Sequence, residues 1–293
     1  MKQCAVCKNE IPDLAKFCPQ CGAKAEPRGK TCPNPECDRT GLPPDAVYCP
    51  DCGFKLAGSK AGFASFTETV GGVSFEMVAV EGGVFMMGSP FDEPGRADDE
   101  LPHQVTLSNY YIGKTVVTQA LWRAVMGKNP SCFHGDNLPV EQVKWKHCQD
   151  FIQRLNRLTH KIYSLPTEAQ WEYAARGGIK SRGCIYAGSN HIDEVAWYRQ
   201  NSGIRTNPVG MKQPNELGLY DMSGNVSEWC EDWYGKYPAS AQTDPLGPSS
   251  GSYRVYRGGH YVKLAADCRV AKRDAKRDWG AFEDLGFRLA LAP

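Results

Sequence analysis

Eight cysteines lie before position 53, in four pairs: Cys4 with Cys7, Cys18 with Cys21, Cys32 with Cys37, and Cys49 with Cys52. A Cys-x2-Cys or Cys-x4-Cys turn places two thiolates on one side of a metal ion, and two such turns complete a tetrahedron. Ten residues separate the turns of the first cluster and eleven those of the second. Gly22 and Gly53 directly follow CPQC and CPDC, where glycine permits the left-handed backbone that wraps a knuckle. All four positions of each cluster are thiolate, so no coordination site remains for water. The chemistry expected is structural: two Zn²⁺ ions, one per cluster. So short a segment buries little apolar surface, and metal binding must supply much of its folding energy.

The remaining five of the thirteen cysteines are scattered. Cys132, Cys148, Cys184 and Cys230 show no ligand spacing and read as core or surface thiols. The N-terminus, MKQCAVCKNE, lacks the apolar run of a signal peptide. Dense paired thiols in that context favour metal over disulfides and a cytoplasmic location. No stretch approaches the roughly 18 consecutive apolar residues of a membrane span, so no membrane partner is expected. Residues 1–60 hold nine Lys/Arg and seven Asp/Glu. Each Zn(Cys)4 centre adds two negative charges, leaving the segment slightly acidic. A phosphate-binding surface is normally basic, so no nucleic acid partner is expected. The chain's formal charge of +1 agrees. There is no HExxH, P-loop or GxSxG.

The elements that must carry any further chemistry follow a change of composition. Residues 1–57 form the ribbons, 58–71 are small and polar and read as a linker, and 72–293 form a larger domain. VSFEMVAVEGGVFMMGS predicts two strands around Gly82-Gly83, and HQVTLSNYYIGKTVVT more strand. Thr118 predicts an N-cap for QALWRAVMG, which Gly127 ends. Val143, Cys148, Phe151, Ile152 and Leu155 form the apolar stripe of another helix. Thr167 caps a third, EAQWEYAARGG. Turns dominate afterwards, so the class is α+β with few helices and much loop.

The strings GGVFMMGS, LPHQVTL, VTQALWRAVMGKNPS, LPVEQVKW, LPTEAQWEYAARGG, NELGLYDMSGNVSEW, RVYRGG and LGFRLA occur in order. Together they resemble the formylglycine-generating enzyme and sulfatase-modifying-factor family over residues 72–293. The resemblance implies a loop-rich C-type-lectin-like fold. In oxygen-dependent members, two cysteines five residues apart bind copper and oxidise a substrate cysteine to formylglycine. In RVYRGGHYVKLAADCR the second aligns with Cys268 and the first with Lys263. An ammonium cannot replace a thiolate on copper. His260 stands where the family usually has serine, and Ser227 where it has tryptophan. Formylglycine-type oxidation is therefore not expected. The enzyme alternative is a divergent oxidase acting through Cys268, with His260 as a second ligand or base. The resemblance also implies one Ca²⁺, held by side-chain oxygens of Asp221 and Glu228 and the carbonyls of Gly224 and Val226.

Non-catalytic relatives include ligand-binding display proteins, some of them variable proteins of diversity-generating retroelements. Their diversified surface lies between the RGG-like and GFRL-like strings, here residues 260–284. That reading expects His260, Val262, Lys263, Leu264, Lys272, Asp274, Ala275, Lys276, Asp278, Trp279, Phe282 and Asp284 at the surface, with Ser227 beside them. Adenine-directed change of asparagine codons does not readily give Lys, Glu or Trp, yet Lys263, Lys272, Lys276, Trp279 and Glu283 occur here. Residues 254–277 hold eight Lys/Arg against two Asp. They make either an anion-attracting patch flanked by Trp279 and Phe282 or a face of arginines paired to carboxylates. The function expected is a binding or display module for an unidentified protein or small ligand. A third reading is a scaffold protein whose ribbons make the important contact.

Overall fold

A computed structural model of the chain describes Lys2–Gln3, Glu10–Ile11, Cys37 and residues 63–293. The chain divides into two compact units, Met1–Phe63 and Ala64–Pro293. In the first, β1 (Lys2–Gln3) pairs antiparallel with β2 (Glu10–Ile11). Cys37 is half-buried. The other seven zinc-ligand candidates, Cys4, Cys7, Cys18, Cys21, Cys32, Cys49 and Cys52, lie outside the described residues, as does the start of the expected linker.

The end of that linker is a strand. β3 (Phe66–Val70) pairs along its whole length with β4 (Val73–Val80). The two-residue turn between them is Gly71-Gly72, with φ of 57° and 79°. Positive φ at both central positions is the tight hairpin turn whose twist matches the strands it joins. The short polar stretch therefore belongs to the domain, and the boundary moves forward from residue 72. Alternation of threonine and glutamate with Phe66 and Val70 carried the strand signal.

β5 (Gly83–Met87), β6 (His103–Leu107) and β7 (Tyr110–Gly113) follow where the apolar runs place them. α1 (Gln119–Met126) begins at Thr118, whose hydroxyl accepts from Leu121 N at 3.3 Å, and ends at left-handed Gly127. α2 (Trp145–Thr159) buries Cys148, Phe151, Ile152 and Leu155, the expected stripe. β8 (Tyr163–Ser164) leads to α3 (Glu168–Ala175), which opens with a capping box between Thr167 and Gln170. Irregular chain follows, broken by the short α4 (Ile192–Val195). It leads into β9 (Ser227–Trp233), β10 (Gln242–Thr243), β11 (Arg254–Arg257), a 3-10 turn at Ala265–Cys268, β12 (Arg273–Lys276), β13 (Leu285–Phe287) and β14 (Ala290–Leu291).

Among the described residues, three sheets form the larger unit, in the orders β3-β4-β7-β14-β8, β12-β11-β9-β13 and β10-β6-β5. α1 and α2 cover the five-stranded sheet, and Trp122 stacks on Phe151 at 5.2 Å. α3 lies between the other two sheets, touching β5, β6, β9 and β11. Trp171, Tyr173, Met87, Val105, Val255 and Val270 pack around it in the core. Each such large apolar side chain contributes about 1.5–3 kcal/mol through burial. No helix among the described residues is long and apolar enough to cross a membrane.

Candidate functional site

The four-stranded sheet positions the residues singled out above. Its register sets Arg257 beside Glu228 on one side and Arg273 on the other. Side chains alternate along a strand, so these three share the face toward α3. Tyr256, paired with Asp274, lies on the opposite face. That opposite face forms one wall of a small cleft whose lining includes Ser227, Tyr256, Lys263, Lys272 and Asp274, with room for about one water molecule.

The inward face gathers Arg257 and Arg273, and neighbouring cations find partners elsewhere. Arg257, fully buried, donates to Glu168 at 2.9 Å and to Glu172. Arg273 donates to both oxygens of Glu168, at 2.9 and 2.7 Å. Arg269 bridges Glu93 and Glu100. Arg254 is sandwiched between the rings of Trp145 and Trp233, 3.8 and 3.6 Å from their centroids. Lys276 reaches Asp284 at 3.1 Å and lies over the Phe282 ring. Of the two readings of this charge run, the structure realises the paired one. Local propensity at Glu168 and Glu172 shows only a helix. Which face of α3 meets which strand is what assigns them to the arginines.

Cys268 closes the 3-10 turn and is fully buried. Burial pushes its thiol up to about 12, reinforced by Asp267; the Lys263 ammonium and the His260 backbone N–H oppose the shift without reversing it. Gly259, at φ 67°, packs so closely that a Cβ there would lie 2.7 Å from Cys268 Sγ. Lys263, and not a second cysteine, holds the matching position at the lip of the cleft. The residues present do not fit a two-cysteine copper centre.

His260 and Ser227 were expected at the surface, and the structure corrects both. His260 is 4% exposed and Ser227 1%. Ser227 opens β9, an interior strand flanked by β11 and β13. His260 follows the left-handed pair Gly258-Gly259, which turns the chain inward. His260 Nε2 lies 3.1 Å from Asp284 Oδ2. Loss of water lowers its pKa to about 4, against the pull of Asp284, so the ring is neutral. Its Nδ1 and the Ser227 hydroxyl have no partner. Val262, Leu264 and Trp279 are exposed, the last by 66%. Lys263, Lys272, Asp274, Ala275, Lys276, Asp278, Phe282 and Asp284 are half-buried.

The calcium set does not fit either. Glu228 is fully buried and both its oxygens are committed to Arg288, at 2.8 and 2.7 Å, with a third bond from Trp171 Nε1 at 2.7 Å. A divalent cation on this carboxylate would sit against a guanidinium, so Arg288 takes the place of the ion. Gly224 N donates to Gly258 O, and Val226 is core. Asp221 Oδ2 accepts from Gly210 N at 2.8 Å. Its Oδ1 has no partner, and burial raises the carboxyl to about 6. Sequence reasoning also passed over Glu141, fully buried beside residues 131–133 with Oε2 unpartnered and its carboxyl raised to about 7 by burial. Nothing in LPVEQVKW distinguishes it from a surface glutamate.

Residues 66–293 match the model of the sulfatase-modifying factor enzyme 1-like domain. The chain belongs to that family. Residues 4–56 match the double zinc ribbon. Among relatives of this sulfatase-modifying-factor chain, chaperone protein LppX of Paenibacillus barcinonensis is 36% identical over 74% of this chain and 89% of its own. The formylglycine-generating enzyme of Streptomyces coelicolor is 30% identical, covering 73% and 88%. Treponema denticola variable protein 1 superimposes with a TM-score of 0.72 at 35% identity, over 78% of this chain and 99% of that one. PvdO from Pseudomonas aeruginosa gives 0.68 at 26%, over 80% and 100%. The α+β architecture and the sulfatase-modifying-factor fold are thereby shown.

Proposed function

We propose that this chain is a non-catalytic binding or display module on the sulfatase-modifying-factor fold. Its contact surface lies within residues 260–284, and its lip is formed by Val262, Lys263, Leu264, Lys272, Asp274, Trp279 and Phe282. The observation carrying this reading is the pairing of a single buried, high-pKa thiol, Cys268, with Lys263 in the position of a second cysteine. A buried thiol of pKa near 12 is almost wholly protonated at neutral pH, and the thiolate is the metal ligand and nucleophile. Trp279 supplies the large, rigid aromatic surface typical of interface anchors. The lectin-like description of the fold belongs to this reading too. So does the assignment of the eight N-terminal cysteines to two structural zinc ions, which the double-zinc-ribbon match supports.

Copper tests it. The zinc-loaded chain is expected to bind no Cu(I) that depends on Cys268, measured by competition with a chelating chromophore, and wild type and Cys268→Ala should titrate alike. Lys263→Cys is expected to add one Cu(I) equivalent, which Cys268→Ala removes again. A tight equivalent in wild type that Cys268→Ala abolishes would overturn the reading in favour of an oxidase. A finer form of the proposal, an actively varied ligand surface, draws on the likeness to the Treponema variable protein. Sequencing the gene across one population of the source organism should then show substitutions concentrated in codons 260–284. Uniform variation along the gene would refute it.

A further inference from the structure

Apart from the cleft, a cavity of about 280 Å³ opens between β6, the start of α3 and the loop after β9. Its walls include Met87, Trp233, Tyr237 and Leu246, and its floor His103, Asp232 and the Glu168–Arg273 pair. Nothing in the proposed contact surface uses it. The volume suits a small organic molecule, and apolar walls around a few polar groups are the usual build of a ligand site.

The unused hydrogen-bonding capacity of the floor is of one kind. Arg273 is saturated: its Nε and Nη2 go to Glu168 and its Nη1 to Gly235 O at 2.9 Å, with the guanidinium stacked 3.8 Å from the Tyr237 ring. Glu168 is saturated in turn by Arg257, Arg273 and the Tyr237 hydroxyl. Asp232 differs. It is 5% exposed, its Oδ2 caps α3 by accepting from Glu168 N at 2.7 Å, and no cation among the described residues pairs with it. A Cβ at position 247 would stand 3.0 Å from Oδ1, so Gly247 keeps its own side chain off that oxygen. His103, also 5% exposed, has Nδ1 3.1 Å from the Leu101 carbonyl. A carbonyl only accepts, so Nδ1 holds a hydrogen, and in the neutral form of the ring Nε2 presents a lone pair. What remains is an acceptor pair, one member a buried carboxyl without a counter-ion, among aromatic and aliphatic walls.

We propose that this cavity binds a small organic amine, its ammonium group donating to Asp232 and His103 and its apolar body packed on Met87, Trp233, Tyr237 and Leu246. Lys236 also lines the cavity but is solvent-exposed, and an anion reaching the floor would meet the carboxyls of Asp232 and Glu168. A neutral hydrocarbon would leave the acceptors desolvated and unanswered, which costs binding free energy. An ammonium satisfies them and takes up the charge that burial leaves unpaired.

The test is calorimetric titration of the full zinc-loaded chain with cyclohexylammonium chloride, with cyclohexanol and cyclohexanecarboxylate as matched probes. One saturable equivalent of the amine is expected, with the alcohol at least about tenfold weaker and the carboxylate not binding. Asp232→Asn keeps an acceptor for Glu168 N but loses the charge, and should weaken the amine at least about tenfold. Leu246→Arg, at an exposed lip position, sets a competing guanidinium at the mouth and should weaken it too. It decides the matter should Asp232→Asn fail to fold by circular dichroism. Equal affinity for alcohol and amine, no saturation with millimolar amine, or an unchanged affinity in whichever variant folds would each overturn the assignment.

Discussion

Arg288→Met is expected to cost about 3–5 kcal/mol of folding stability, the loss typical when one partner of a buried ion pair is removed. Arg288 and Glu228 are both fully buried, and the guanidinium meets the carboxylate through two donors, with further bonds to Gly113 O and Tyr220 O at 2.7 and 2.8 Å. Methionine fills much of the volume but leaves the Glu228 carboxyl buried without its guanidinium among Trp171 and core strands. Glu228→Gln in the same chain removes the stranded charge, so the double variant should recover much of the loss. Guanidinium denaturation of the four proteins closes the cycle. An additive double variant would contradict direct pairing. The same series bears on calcium: addition of Ca²⁺ should not raise the unfolding midpoint of wild type, because the pair already holds the carboxylate.

The second large effect is on pH. Asp232 is raised to about 7 and Glu141 to about 7, chiefly by burial, and Asp221 to about 6. A carboxyl with a raised native pKa binds its proton more tightly folded than unfolded. Stability therefore falls as pH climbs from the unfolded value near 4 through the native value. Glu168 and Glu100 move the other way: despite burial, their arginine partners hold them below the usual range. Their stabilisation is present above about pH 4.5 and is lost as pH falls through their native values. Stability should thus peak near pH 5 and decline toward pH 8. Asp232→Asn should flatten the alkaline limb and stabilise the protein at pH 8 by on the order of 2–4 kcal/mol relative to its effect at pH 4. Thermal melts across pH 4–8 measure this, and an Asp232→Asn curve parallel to wild type would refute it.

Much of the scaffold was legible because it is written locally. Thr118 and Gly127 mark the ends of α1 through their own backbone bonds, and Thr167 with Gln170 does the same for α3. The stripe from Cys148 to Leu155 is buried because a 3.6-residue period admits only one inward face. β3 was misread as linker because a short edge strand beginning a sheet carries few apolar residues, and its evidence is the pairing with β4. The motif strings identified the fold. They could not say whether motif residues kept their usual neighbours. Glu228 stands in the expected motif but on strand β9, and its neighbour is Arg288, sixty residues on.

The eight paired cysteines at the N-terminus and the replacement of a thiol by Lys263 are facts of sequence alone. Ligand type depends only on which side chains are present and how far apart along the chain they stand. The burial of His260 and Ser227, the pairing of Arg257 and Arg273 with α3 carboxylates, and the unpaired carboxyl of Asp232 were decided by tertiary structure. Desolvation and charge pairing depend on which surfaces meet, and residues 168, 232, 257 and 273 meet only when three strands of one sheet close on one helix.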